Sequence, residues 1–154
     1  LTVIMNDIQQ EFVDKGLKTI AGILTRSVEK GKMAAAEKDA LLGRIKGSVS
    51  LQDMAAADFV VEAATERQDI KFKIFRDLDQ ICPPGAILAT NTSSIPIGRI
   101  AAQTRRPDKV IGMHFMNPVP VMKLVEVITG QATAPETLAR TTLALKKARP
   151  WNRQ

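Results

Sequence analysis

His114 is the only histidine of the chain, and it stands in the run Val110-Ile111-Gly112-Met113-His114-Phe115-Met116-Asn117-Pro118-Val119-Pro120. Twelve residues later, Glu126 interrupts Leu124-Val125-Glu126-Val127-Ile128. Imidazole titrates near neutral pH, so His114 offers a group that can take or give a proton. A carboxylate inside an apolar run needs a partner to be tolerated there. The connection from Asn117 to Met122 holds two prolines and is too short for a crossover helix. Neighbouring strands joined this way run antiparallel, which would bring the two side chains together. A His–carboxylate pair is an oriented general base. The alternative is a strand-end histidine and a partly exposed glutamate with no chemistry between them.

The elements that must position this pair follow from periodicity. Leu1–Met5 reads as a strand closed by Asn6-Asp7, and from Ile8 the residues Phe12, Leu17, Ile20, Leu24 and Val28 recur at helical spacing until Gly31. The pattern predicts a second helix over Met33–Ile45, a strand over Ser48–Leu51 and an Ala-rich helical turn from Asp53. Asp58–Ala63 reads as a buried strand, and Ile70, Ile74, Leu78 and Ile81 mark an amphipathic helix stopped by Pro83-Pro84-Gly85. Ala86–Ala89 is another strand, Asn91–Ser94 a polar loop, and Pro96 opens a helix to about Gln103. Pro135 begins a last helix through about Lys147.

Short apolar strands alternating with helices indicate an α/β fold: a doubly wound, mostly parallel sheet covered on both faces. Ligands of such sheets bind at the carboxyl ends of strands. Asp7, Glu66, Asn91–Ser94 and His114–Asn117 all follow strands and are expected to share one rim.

Composition narrows the classes of function. At 154 residues the chain fits one domain with a real core, and 45% apolar and 25% charged residues are globular values. With no tyrosine and few aromatics, it lacks base-stacking platforms for single-stranded nucleic acid. The net charge of +6 is spread along the chain and suits a polyanionic small ligand as well as it suits solubility. A single cysteine, Cys82, precludes an internal disulfide and a cysteine-rich metal site, so no metal is expected and a reducing compartment fits. No run has membrane-spanning length and the N-terminus has no signal-peptide layout, so the expectation is cytoplasm or an organelle matrix (mitochondrion or peroxisome) rather than secretion.

Other rim residues have both a functional and a plain reading. Asp7 ends a strand, where dinucleotide-binding domains place the carboxylate that accepts from the adenosine ribose hydroxyls; it could equally be a helix N-cap. No Gly-x-Gly-x-x-Gly occurs in these residues, so the sequence looks like a dinucleotide fold lacking its first strand and glycine loop. Ser93 suits a hydrogen bond to a substrate oxygen, though Asn91–Ser94 also reads as a capping loop. Without a Gly-x-Ser-x-Gly elbow, Ser93 is a poor nucleophile. Glu62 lies in a buried strand and needs a partner, Glu66 ends that strand, and Lys71 on the next helix reads most simply as a solvated cation.

Three segments together resemble the 3-hydroxyacyl-CoA dehydrogenase family, most closely its short-chain 3-hydroxybutyryl-CoA branch. They are Asp58-Phe59-Val60-Val61-Glu62-Ala63-Ala64-Thr65-Glu66, Ile87-Leu88-Ala89-Thr90-Asn91-Thr92-Ser93-Ser94, and Gly112–Ile128 (GMHFMNPVPVMKLVEVI). The resemblance implies a Rossmann-like NAD-binding domain and oxidoreduction between 3-hydroxyacyl-CoA and 3-oxoacyl-CoA, with NAD as cofactor and NADP as an option. It implies His114 as catalytic base, Glu126 as its orienting carboxylate and Ser93 as the partner of the substrate's 3-oxygen, near the nicotinamide. Asn117 would contact the nicotinamide side and Asp7 the ribose, with Glu66 and Lys71 lining the cofactor cleft. Lys30 resembles a lysine that meets the CoA phosphates. The match runs from Leu1 to about Leu145, a partial NAD-binding domain, while 146–154 (KKARPWNRQ) is an unmatched tail. The family's helical C-terminal domain, which completes the acyl-CoA cleft and forms the homodimer, has no counterpart in these residues. The implied setting is fatty acid or butanoate metabolism, with an acyl-CoA partner and neither nucleic acid nor membrane. Two other classes remain open: a catalytically silent fragment or interaction module, and, on charge alone, a nucleic-acid-binding domain.

Overall fold

The computed structural model describes residues 1–148; within the tail expected at 146–154, residues 149–154 lie outside the described residues. The chain forms two compact units, Leu1–Met54 and Ala55–Gln154.

In the first unit, β1 (Val3–Asn6) and β2 (Ile45–Ser48) pair in parallel, with Val3 opposite Ile45 and Asn6 opposite Ser48. Between them lie α1 (Gln10–Glu29) and α2 (Ala35–Leu42). Gly47 lets α1 close on β2, since a Cβ there would lie 2.5 Å from Val13 Cγ1. Val13 is fully buried as a result. At the end of α1, Gly31 takes a φ of +66°, the Gly31 amide donates to Val28 O and the Lys32 amide to Ser27 O. That pair of bonds satisfies two of the last helical carbonyls and stops the helix where the sequence places the stop. The second helix is shorter than expected. Ile45, assigned to it from its apolar character, begins β2, and the expected strand Ser48–Leu51 is shifted to Ile45–Ser48. A 3-10 turn, Leu51–Ala56, takes the Ala-rich stretch.

The second unit contains β3 (Phe59–Glu62), α3 (Gln68–Ile81), β4 (Ile87–Thr90), α4 (Ile97–Ala101), β5 (Val110–Phe115), β6 (Val125–Thr129) and α5 (Pro135–Ala148). Its sheet order is β3-β4-β5-β6, with the first three strands parallel and β6 antiparallel to β5. Alternation along the strands divides the side chains between two faces. Ile87, Ala89, Ile111 and Met113 form one core face, against which Phe59, Phe115, Val125, Val127 and Leu145 of α5 pack. The opposite face meets α3 and α4, where Phe75, Leu78 and Ile100 are fully buried. Burying each such side chain contributes about 1.5–3 kcal/mol. β4 is buried at every residue, but β3 is not the wholly buried strand expected, for Val61 is 41% exposed.

The buried stripe of α3 is Lys71, Phe75, Leu78 and Asp79, not the Ile70-Ile74-Leu78-Ile81 row expected; Ile70 is 37% exposed. The C-terminal end of α3 is held by Arg106, whose guanidinium donates to the carbonyls of Asp79, Cys82 and Pro83 and to Asp79 Oδ1. Burial pushes the Asp79 carboxyl up, but hydrogen bonds from Arg105 and Arg106 outweigh it and hold it below the usual range.

Candidate active site

The register of β5 and β6 sets the geometry. Gly112 faces Ile128, and two residues on, His114 faces Glu126 across the antiparallel pair. His114 Nδ1 and Glu126 Oε2 are 2.8 Å apart. A carboxylate accepts only, so the proton of this contact sits on Nδ1, and the lone pair of a neutral imidazole is left on Nε2. The His114 side chain is 25% exposed and that of Glu126 is 51% exposed, so the ring is both fixed and reachable. Its neighbour Met113 points into the core on the other face.

The loop after β4 is tied to the same end of the sheet. Asn91 Oδ1 accepts the Phe115 amide at 2.8 Å, joining this loop to the residue after His114. Glu66, after β3, collects the loop on one oxygen. Its Oε1 accepts from Thr92 Oγ1 at 2.6 Å, Ser94 Oγ at 2.8 Å, the Ser93 amide at 3.0 Å and the Ser94 amide at 3.1 Å. Desolvation pushes the Glu66 carboxyl up, but these hydrogen bonds together prevail and hold it at about 2. Ser93 Oγ is 3.3 Å from the same oxygen, a long contact that leaves the exposed hydroxyl free to turn to another partner.

Asp7 directly follows β1, but it is not the N-cap of α1; Gln9 is. Asp7 Oδ1 accepts the Ile8 amide at 2.7 Å, and Oδ2 has no hydrogen bond among the described residues. That exposed oxygen suits hydroxyl donors. Lys30, at the C-cap of α1, and Asn117, just past β5, are exposed.

Lys71 is not the solvated cation expected. It is 1% exposed, with Nζ 2.5 Å from Glu62 Oε2 and 3.4 Å from Thr90 Oγ1. The partner that a buried Glu62 demands is therefore Lys71, and the sequence reading missed the pairing along with the roles of Thr90, Asn91 and Thr92. The spacing Lys71-Phe75-Leu78 was the available signal, since it places the lysine on the inward face of α3.

A family model described as 3-hydroxyacyl-CoA dehydrogenase, NAD binding domain, matches residues 1–149. The chain is 53% identical over 133 residues to the "Probable 3-hydroxybutyryl-CoA dehydrogenase" of Bacillus subtilis, covering 86% of this chain and 46% of that protein. It is 48% identical over 128 residues to the 3-hydroxybutyryl-CoA dehydrogenase of Clostridioides difficile, covering 83% and 46% respectively. The crystal structure of (S)-3-hydroxybutyryl-CoA dehydrogenase from Ralstonia eutropha superposes with a TM-score of 0.93 at 48% identity, over 96% of this chain and 52% of that one. The fold is the Rossmann-like NAD-binding type. The chain spans about half the length of the curated relatives it matches.

Proposed function

Because this chain belongs to the 3-hydroxyacyl-CoA dehydrogenase family, we propose that the full-length protein interconverts 3-hydroxyacyl-CoA and 3-oxoacyl-CoA with NAD. Residues 1–145 are then part of its NAD-binding domain. Short-chain substrates such as 3-hydroxybutyryl-CoA are the first choice, in fatty acid or butanoate metabolism. A homodimer in the cytoplasm or an organelle matrix is the setting that accompanies this reading.

The observation that carries it is the 2.8 Å contact between His114 Nδ1 and Glu126 Oε2. His114 Nε2 takes the proton of the 3-hydroxyl as C3 is oxidised. Glu126 keeps the reactive nitrogen free and stabilises the imidazolium once it forms, as a carboxylate does beside a catalytic histidine. Ser93 Oγ donates to the 3-oxygen as it becomes a carbonyl, while Glu66 holds the loop that presents it. When bound, NAD supplies the hydride acceptor. Asp7 would hold the adenosine ribose, its free Oδ2 accepting from the 2′-hydroxyl and repelling a phosphate there. Asn117 would lie on the nicotinamide side and Lys30 near the CoA phosphates. Lys71 makes no contact in this reading.

The test is NADH and NADPH oxidation by the purified full-length protein on adding acetoacetyl-CoA. Turnover with NADH preferred, and that preference reduced in Asp7→Ala, is the expected result. Dinucleotide binding without any acyl-CoA-dependent turnover would replace the enzyme reading with that of a binding module.

A further inference from the structure

Glu62 lies four residues before Glu66 and beneath the site rather than in it, at 5% exposure. Its Oε2 meets Lys71 Nζ at 2.5 Å and accepts from Thr90 Oγ1 at 2.9 Å. Its Oε1 accepts the Ala64 amide at 2.9 Å, and its carbonyl accepts the Asn91 amide at 2.8 Å. Lys71 and Thr90 are themselves buried, at 1% and 0% exposure. Taking two charges out of water is expensive, and apolar side chains of the same volume often stabilise a fold as well or better. The network's distinctive property is what it holds. Ala64 begins the segment that ends in Glu66, and Asn91 begins the loop that carries Ser93. The carboxylate thus holds Ala64 directly and the root of the loop through the Thr90 hydroxyl, next to Asn91, whose amide is held by the Glu62 backbone carbonyl. Asn91 continues to Phe115, the neighbour of His114.

We propose that Glu62, neutralised by Lys71 and braced by Thr90, is a positioning residue for the reaction, setting Ser93 and Glu66 against His114. This rests on the dehydrogenase reading above. It assigns Lys71 an indirect role, through Glu62, instead of a contact with cofactor.

The test uses two double variants of the full-length protein. Glu62→Met/Lys71→Met removes both charges and every side-chain hydrogen bond of the network. Glu62→Gln/Lys71→Met removes the charges but keeps an acceptor for the Ala64 amide. The all-Met variant should keep a wild-type unfolding midpoint. Its Ala64, Ser93 and Ser94 amides should exchange with solvent about tenfold faster or more, with Ile111 and Met113 unchanged. Its kcat for acetoacetyl-CoA reduction should fall about tenfold or more, with KM for acetoacetyl-CoA within about twofold. The Gln variant should recover most of both losses. A role in stability alone predicts wild-type exchange and kcat in an all-Met variant that folds, and that result would overturn the proposal. If the all-Met variant does not fold, Thr90→Val decides: faster Ser93 and Ser94 exchange supports the proposal, and unchanged exchange defeats it. The exchange measurements need no turnover, so an inactive wild type would defeat the dehydrogenase reading and leave this inference decided separately.

Discussion

At the scale of single residues, the site depends on which atoms are left free. Glu126 occupies His114 Nδ1, which leaves Nε2 free for the proton transfer proposed above. Glu66 spends one oxygen on four close donors from Thr92, Ser93 and Ser94, and so stays ionised far into acid. Its carboxyl is lowered from 4.5 to about 2 in the fold. A depressed carboxylate adds stability that is fully present above the unfolded value and is lost as pH falls through the folded one. Thermal unfolding of wild type and Glu66→Gln should therefore differ most above pH 4.5, with the gap narrowing as pH falls toward about 2. Exposure of the side chain keeps the effect small. A gap that stays constant across this range would show that the hydrogen bonds do not favour the ionised form. The pairing of His114 with Glu126 was readable from residue types and a short proline-bearing connection. The clamp at Glu66 was not, because it depends on a loop folding back onto a carboxylate that lies 26 to 28 residues away in sequence.

At the scale of elements, phase decided what could be read. Apolar residues located α3 well, but the row chosen was one step off the buried face, and that step turned Lys71 from a core residue into a surface one. Apolar residues alone did not mark Lys71, because a charged residue on the inward face adds nothing to that pattern; only its spacing to Phe75 and Leu78 places it there. Ile45 was lost to a helix for a related reason: a lone apolar residue at an element's edge fits either period. The β5–β6 pair is more constrained. A Cβ on Gly112 would lie 2.9 Å from Ile128 Cβ, 3.0 Å from Ile97 Cδ1 and 3.2 Å from the Ile128 carbonyl oxygen. Backbone cannot step aside as a flexible side chain can, so Gly112→Val should destabilise the fold by about 1–3 kcal/mol or more. Urea unfolding would register this as a lower midpoint at unchanged slope. A midpoint equal to wild type would mean that β6 and α4 are free to move away from β5. Such movement would also loosen His114, two residues further along the same face.

At the scale of the whole molecule, the alternation of short apolar strands with helices was enough to give an α/β fold. Within the second unit the polar residues Glu66 and Asn91, which follow β3 and β4, are tied to the loop and to the strand that carry Ser93 and His114. The network beneath the site was not readable, since its members come from β3, α3 and β4 and meet only once those elements pack. The chemistry nevertheless converges on one imidazole. The most direct measurement is kcat for NADH-dependent acetoacetyl-CoA reduction by the full-length protein as wild type, Glu126→Gln and His114→Ala, each with its fold checked by circular dichroism. His114→Ala should lower kcat by roughly 10² to 10⁴, the contribution of a positioned general acid–base, with Glu126→Gln the next most damaging. A folded His114→Ala protein that turns over within a few-fold of wild type would contradict the central claim and remove His114 from the reaction.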